Sequence, residues 1–115
     1  MKRPTRAKVG YQVYTIGWLD ESEWEAAGLP DNTNGATRPS HGIIAIRLGF
    51  NRSEEWYRET LVHELLHACF AVSRIDVYMD DKVLDAEELV CNTQAPMLLA
   101  LFRENPKVLR YLTGE

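Results

Sequence analysis

The chain has 115 residues, 45% of them hydrophobic and 26% charged, with a formal net charge of −4. That length bounds it to one domain with a modest core, of a composition ordinary for a soluble globular protein. The negative balance argues against nucleic acid as the main partner. No apolar run approaches the ~20 residues of a membrane span, and two cysteines are too few for a disulfide framework.

The chain opens basic, with Lys2, Arg3, Arg6 and Lys8, and is acidic thereafter. Residues 1–8 read as a solvated, partly disordered basic arm, with contact to phosphate or to a partner as the sharper alternative. No continuous apolar run follows, so a secretory signal is not expected and the cytoplasm is the expected compartment. Residues 9–16 alternate and are rich in β-branched and aromatic side chains. They predict one strand with Val9, Tyr11, Val13 and Thr15 on a common face. Residues 20–27 predict a short helix, capped by Asp20 or Ser22 and stopped by Gly28-Leu29-Pro30. Residues 31–35, Asp-Asn-Thr-Asn-Gly, are dense in turn formers and predict a loop or hairpin connection. Residues 43–48, I-I-A-I-R-L, predict the strongest strand.

Residues 54–72 predict one long helix, capped by Asn51 or Ser53. Asn51 with Glu54 three positions later fits a capping box, and Glu54 and Glu55 suit the helix dipole. Trp56, Thr60, His63, His67 and Phe70 follow the 3.6-residue period, which predicts that this face continues into apolar packing. Within it stands His63-Glu64-Leu65-Leu66-His67, an H-E-x-x-H motif. Histidines four apart lie on one helical face, one turn above each other, so both imidazoles can bind a single zinc ion. Glu64 lies about 100° round the helix from His63 and flanks that point. In this motif it is the general base that takes a proton from zinc-bound water. A buried histidine pair beside a buried glutamate is costly without a metal or partners, which favours the metal.

Residues 73–81 break the period and predict a loop, with a short strand at 75–78. Residues 83–95 predict a second helix. Pro96 then starts or kinks a further helix to about residue 104, and residues 106–112 predict a short terminal one. Strands first and helices after argue an α+β fold. A catalytic zinc takes three protein ligands and a water. The candidates for the third are Glu87 and Glu88, about twenty residues after His67. Glu88 shares its helix face with Leu84, Cys91, Asn92 and Ala95; Glu87 shares its own with Val83, Val90, Cys91 and Gln94. Either face is apolar enough to pack on the motif helix. His41, in the Gly/Pro-rich loop before the second strand, would give a three-histidine site instead. Asp76, Asp80, Asp81 and Asp85 are weaker candidates. The metzincin pattern is excluded, because no histidine follows His67. Asp76, Asp85 or Asn92 are candidates to orient the histidine rings. Tyr78, Tyr57, His41 and Arg74 are the candidate oxyanion donors, Tyr78 first among them for its place between the two helices. Cys69 and Cys91 sit in apolar helical contexts and read as buried free thiols. Cys69 points about 200° away from His67 and is poorly placed to close a structural site.

Residues 60–69, T-L-V-H-E-L-L-H-A-C, resemble the active-site helix of zincin metallopeptidases. They look most like the small single-domain zinc peptidases of phages and bacteria related to the ImmA/IrrE type. Residues 86–92, A-E-E-L-V-C-N, resemble that family's second helix, where a glutamate supplies the third ligand in the gluzincin manner. The resembling parts cover about half the chain. The resemblance implies a minimal zincin-like domain, with a small N-terminal sheet packed on the H-E-x-x-H helix and helices at the C-terminus. It implies zinc held by His63, His67 and Glu88, with Glu87 as the alternative, and peptide hydrolysis with Glu64 as base. It also implies a narrow protein substrate, such as a repressor or host protein. In such enzymes the substrate lies antiparallel to an edge strand, for which residues 43–48 are the natural candidate. Two other functions compete. One is a non-catalytic binding module that keeps zinc for stability, against which Glu64 argues, since a structural site has no use for that acid. The other is proteolysis on nucleic acid by a SprT-like zincin, which the basic start favours and the acidic body opposes.

Overall fold

The computed structural model describes residues 2–49, 51–74 and 86–114; the side chains of residues 86–89, 91 and 92 lie outside the description. In place of the single expected strand over residues 9–16 the chain makes a hairpin. Strands β1 (Arg6–Val9) and β2 (Gln12–Leu19) pair antiparallel, with Val9 opposite Gln12. Gly10 makes the turn at φ +60°, a conformation that costs glycine little. Tyr11, at the tip, is 80% exposed. The turn resets the alternation. Ala7 and Val9 of β1 and Tyr14 and Ile16 of β2 are buried, while Val13 and Thr15 face outward. The period-2 pattern therefore ran across a turn and belonged to two strands.

Helix α1 (Glu21–Ala26) forms as expected, with Asp20 and Glu23 completing a capping box and Trp24 buried. Then come β3 (Gly35–Arg38), a 3₁₀ turn (Pro39–His41) and β4 (Ile43–Arg47). β4 pairs parallel with β2 and antiparallel with β3, so the sheet order is β1-β2-β4-β3. The strand expected at the edge is thus an inner one. Ile44, Ala45 and Ile46 are buried in succession on this inner strand, Ile44 and Ile46 within the main core cluster. Among the described residues the edge is β3, which begins on the last residue of the stretch expected as a loop.

Helix α2 (Glu54–Ser73) is capped by Ser53, whose Oγ accepts from Trp56 N at 3.2 Å. Asn51 is not the cap; it makes a left-handed bend at φ +65°. Tyr57, Leu61, Glu64, Leu65, Ala68 and Cys69 form the buried face of α2, and the apolar ones pack with Ile16, Ile44 and Ile46 of the sheet. Trp56, His63 and His67 are exposed, so the face expected to continue into apolar packing opens to solvent instead. Helix α3 (Ala86–Glu104) runs through Pro96 as one helix and packs on α2 and β1; α4 (Pro106–Leu112) follows. The molecule is an α+β domain with α2 and α3 on one face of the sheet. No described helix is long and apolar enough to cross a membrane.

The basic start is not a disordered arm. Residue 7 is fully buried in β1, and Trp18 Nε1 donates to Pro4 O at 2.7 Å. Arg3 pairs with Glu54 and lies over the rings of Trp18 and Tyr57, 5.4 and 5.3 Å from their centroids. Tyr111 Oη donates to the same carboxylate at 2.8 Å. Arg3 first, and Tyr111 with it, hold Glu54 below its ordinary carboxylate pKa. Stability from this cluster is full above the unfolded pKa of about 4.3 and is lost as pH falls through the lower folded value. In urea titrations, wild type is expected to exceed Glu54→Gln in stability at pH 6, and the gap should close as the pH is lowered below 4.

Among the described residues, no strand pairs with the outer edge of β1. The Asn105 side chain stands in for one. Its Oδ1 accepts from Lys8 N at 2.7 Å and its Nδ2 donates to Lys8 O at 2.8 Å and to Leu101 O at 2.7 Å. Asn105→Ala strips partners from backbone groups that water reaches poorly, and should cost about 2–4 kcal/mol of unfolding free energy in urea.

Candidate metal centre

Burying Leu61, Leu65 and Ala68 against the sheet turns His63 and His67 to the opposite side of α2. There they converge: the two Nε2 atoms stand 3.2 Å apart, with the rings edge to face at 71°. They border a cleft of about 800 Å³ between α2 and the segment from Pro30 to Pro39, which includes β3. The histidine pair, expected from the sequence to be buried, is open to solvent: the His63 side chain is 68% exposed. The buried member of the motif is Glu64, only 5% exposed. It lies between the histidine face and the core face of α2, and its carboxylate meets β3. Oε1 accepts from Thr37 Oγ1 at 2.7 Å, and Oε2 stands 3.9 Å from His63 Nε2. Thr37 Oγ1 is also 3.1 Å from the Glu64 carbonyl oxygen.

The donor set fits zinc as far as it is described. Two nitrogens, each about 2.05 Å from a tetrahedral zinc ion, stand about 3.3 Å apart. The observed 3.2 Å agrees, and without metal the same separation serves an N–H···N hydrogen bond between the rings. Among the described residues, no three His, Cys, Asp or Glu side chains form a group able to hold a metal ion. Glu87 and Glu88 lie in the first turn of α3, which packs against α2 and is fastened to its end by Gln94 Nε2 on Ser73 Oγ at 3.0 Å. The side chains of Glu87, Glu88 and Asn92 are outside the description, as are Asp76, Tyr78, Asp80, Asp81 and Asp85 altogether.

The other candidates from the sequence do not reach the cleft. His41 is exposed in the 3₁₀ turn, its Nδ1 3.0 Å from Ser40 Oγ, and it does not line the cleft. Tyr57 is buried, with its hydroxyl bonded to both Gly49 N and Gly49 O, so it anchors the loop before α2. Arg74 ends α2 in a left-handed conformation, away from the cleft lining. Cys69 is a free, buried thiol, and burial pushes its pKa up to about 11, which leaves it inert at neutral pH.

Sequence reading missed Gly35 and Thr37 of β3 as residues of the site. The available signal was weak: Gly35-Ala36-Thr37-Arg38 is a four-residue run free of prolines between two turn-rich stretches. Compared with protein-family models, with curated proteins and with solved structures, the chain finds no significant match in any of the three.

Proposed function

We propose that this domain is a zinc-dependent peptidase. The observation that carries the reading is the convergence of His63 Nε2 and His67 Nε2 at 3.2 Å, on an open cleft, beside the buried carboxylate of Glu64. His63 and His67 would hold the metal, with a third ligand from Glu88 or its neighbour Glu87. Zinc, when bound, supplies a Lewis acid for a peptide carbonyl and makes water acidic enough to attack at neutral pH. Glu64 takes the proton from the attacking water and passes it to the leaving amine. At 5% exposure this carboxylate has little bulk water around it, and its Oε2 stands 3.9 Å from His63 Nε2. β3, not β4, borders the cleft, and its outer edge, which no strand pairs with among the described residues, would offer backbone groups to an extended substrate. The buried Glu64 also weighs against a purely structural zinc site, because burying an acid that does nothing costs stability.

Zinc-loaded protein should cut a set of unfolded proteins at discrete sites, read by mass spectrometry, and a chelator should abolish the cutting. Absence of any cleavage from a protein that holds stoichiometric zinc would remove the peptidase reading.

A further inference from the structure

Glu64 is a long side chain, and α2 fixes only its backbone. What fixes its carboxylate comes from β3. Gly35 and Thr37 are two apart on that strand, so they face the same side, toward α2. Thr37 Oγ1 has one proton to give, and the shorter contact is to Glu64 Oε1 at 2.7 Å, against 3.1 Å to the backbone oxygen. A hydroxyl bonded to a carboxylate is a strong, charge-assisted bond. The other oxygen lies where a side chain at residue 35 would be. A Cβ there would sit 2.8 Å from Oε2, 2.9 Å from Cγ and 3.0 Å from Cδ of Glu64. Gly35 is not among the glycines with positive φ, so the backbone does not require glycine at this place. The Glu64 side chain does.

We propose that β3 is the positioning strand for Glu64: the Thr37 hydroxyl holds one carboxylate oxygen, and the bare Cα of Gly35 leaves the space for the other. Thr37 and Gly35 are positioning residues, acting through Glu64. The kinetic consequence rests on the peptidase reading, whereas the placement of the carboxylate does not.

The test uses Thr37→Val, Thr37→Ser and Gly35→Ala in the zinc-loaded full chain, with crystal structures, zinc affinity by chelator competition, and kcat and KM on a cleaved peptide. Valine keeps the volume of threonine without the hydroxyl. In Gly35→Ala the atoms in conflict, Cγ, Cδ and Oε2, all belong to the one Glu64 side chain, which can rotate, so the fold should persist while the carboxylate shifts. The expected result is a carboxylate displaced by about 1 Å or more in Thr37→Val and Gly35→Ala. Both should show unchanged zinc affinity and KM, with kcat lower by about 10- to 100-fold. Thr37→Ser should keep the wild-type position and rate. A carboxylate that stays in place in both damaging variants, or a zinc-loaded wild type without the Thr37–Glu64 bond, would overturn the proposal. If wild type cleaves nothing while the variants displace the carboxylate, the positioning stands and the peptidase reading fails.

Discussion

Changing Glu64 to glutamine is expected to leave zinc binding intact and to lower peptide hydrolysis by about 10²- to 10⁴-fold, the usual contribution of a positioned general base. The amide has nearly the shape of the carboxylate. Its oxygen can still accept from Thr37 Oγ1, which now holds Glu64 Oε1 at 2.7 Å. It cannot take up a proton from water. The fold should not suffer, because Glu64 is 5% exposed and a neutral amide costs less to bury than a charge. Side-by-side metal content, thermal unfolding and turnover on one peptide would check all three expectations. Turnover within a few-fold of wild type would assign the proton transfer to another group.

The second large effect falls on the histidines. His63→Ala and His67→Ala are each expected to lose most bound zinc and, with it, hydrolysis. Their folds should be nearly unaffected, within about 0.5 kcal/mol in the metal-free state, because both rings are exposed and their one mutual contact is at the surface. Metal content by mass spectrometry and urea unfolding of the chelated proteins separate the two expectations. Retention of zinc by either variant would mean that the ion, if any, sits elsewhere. A large loss of stability would mean that the pair serves the fold.

The motif helix and the Asp20 cap of α1 were legible in the sequence because they are local; of the two caps offered for the motif helix, Ser53 holds and Asn51 with Glu54 does not. His63 and His67 meet through a spacing of four on a regular helix, and Asp20 with Glu23 closes a capping box within one turn. The second edge of the sheet was not legible, for a matching reason. Gly35 and Ala36 have little strand propensity of their own, and β3 forms where Ile44 and Ile46 of β4 offer it a register. Which residues of β3 matter is decided by Glu64, distant along the chain and adjacent in space. The hairpin at Gly10 was hidden differently: β-branched and aromatic residues at 9, 11, 13 and 15 mimic one strand face, although burial switches from Val9 to Tyr14 and Ile16 across the turn. The histidine face was misjudged because apolar neighbours in sequence, Leu65 and Leu66 among them, do not say which side of the helix the sheet covers.

The most direct test of the account is the zinc content of purified wild type beside Glu88→Ala and Glu87→Ala, after metal loading and removal of excess. Wild type is expected to hold about one zinc per chain and one of the two variants to lose it, which would complete a His63, His67 and glutamate site. Wild type that holds no zinc even after loading would contradict it, and would leave the His63–His67 contact as a hydrogen bond between two surface rings.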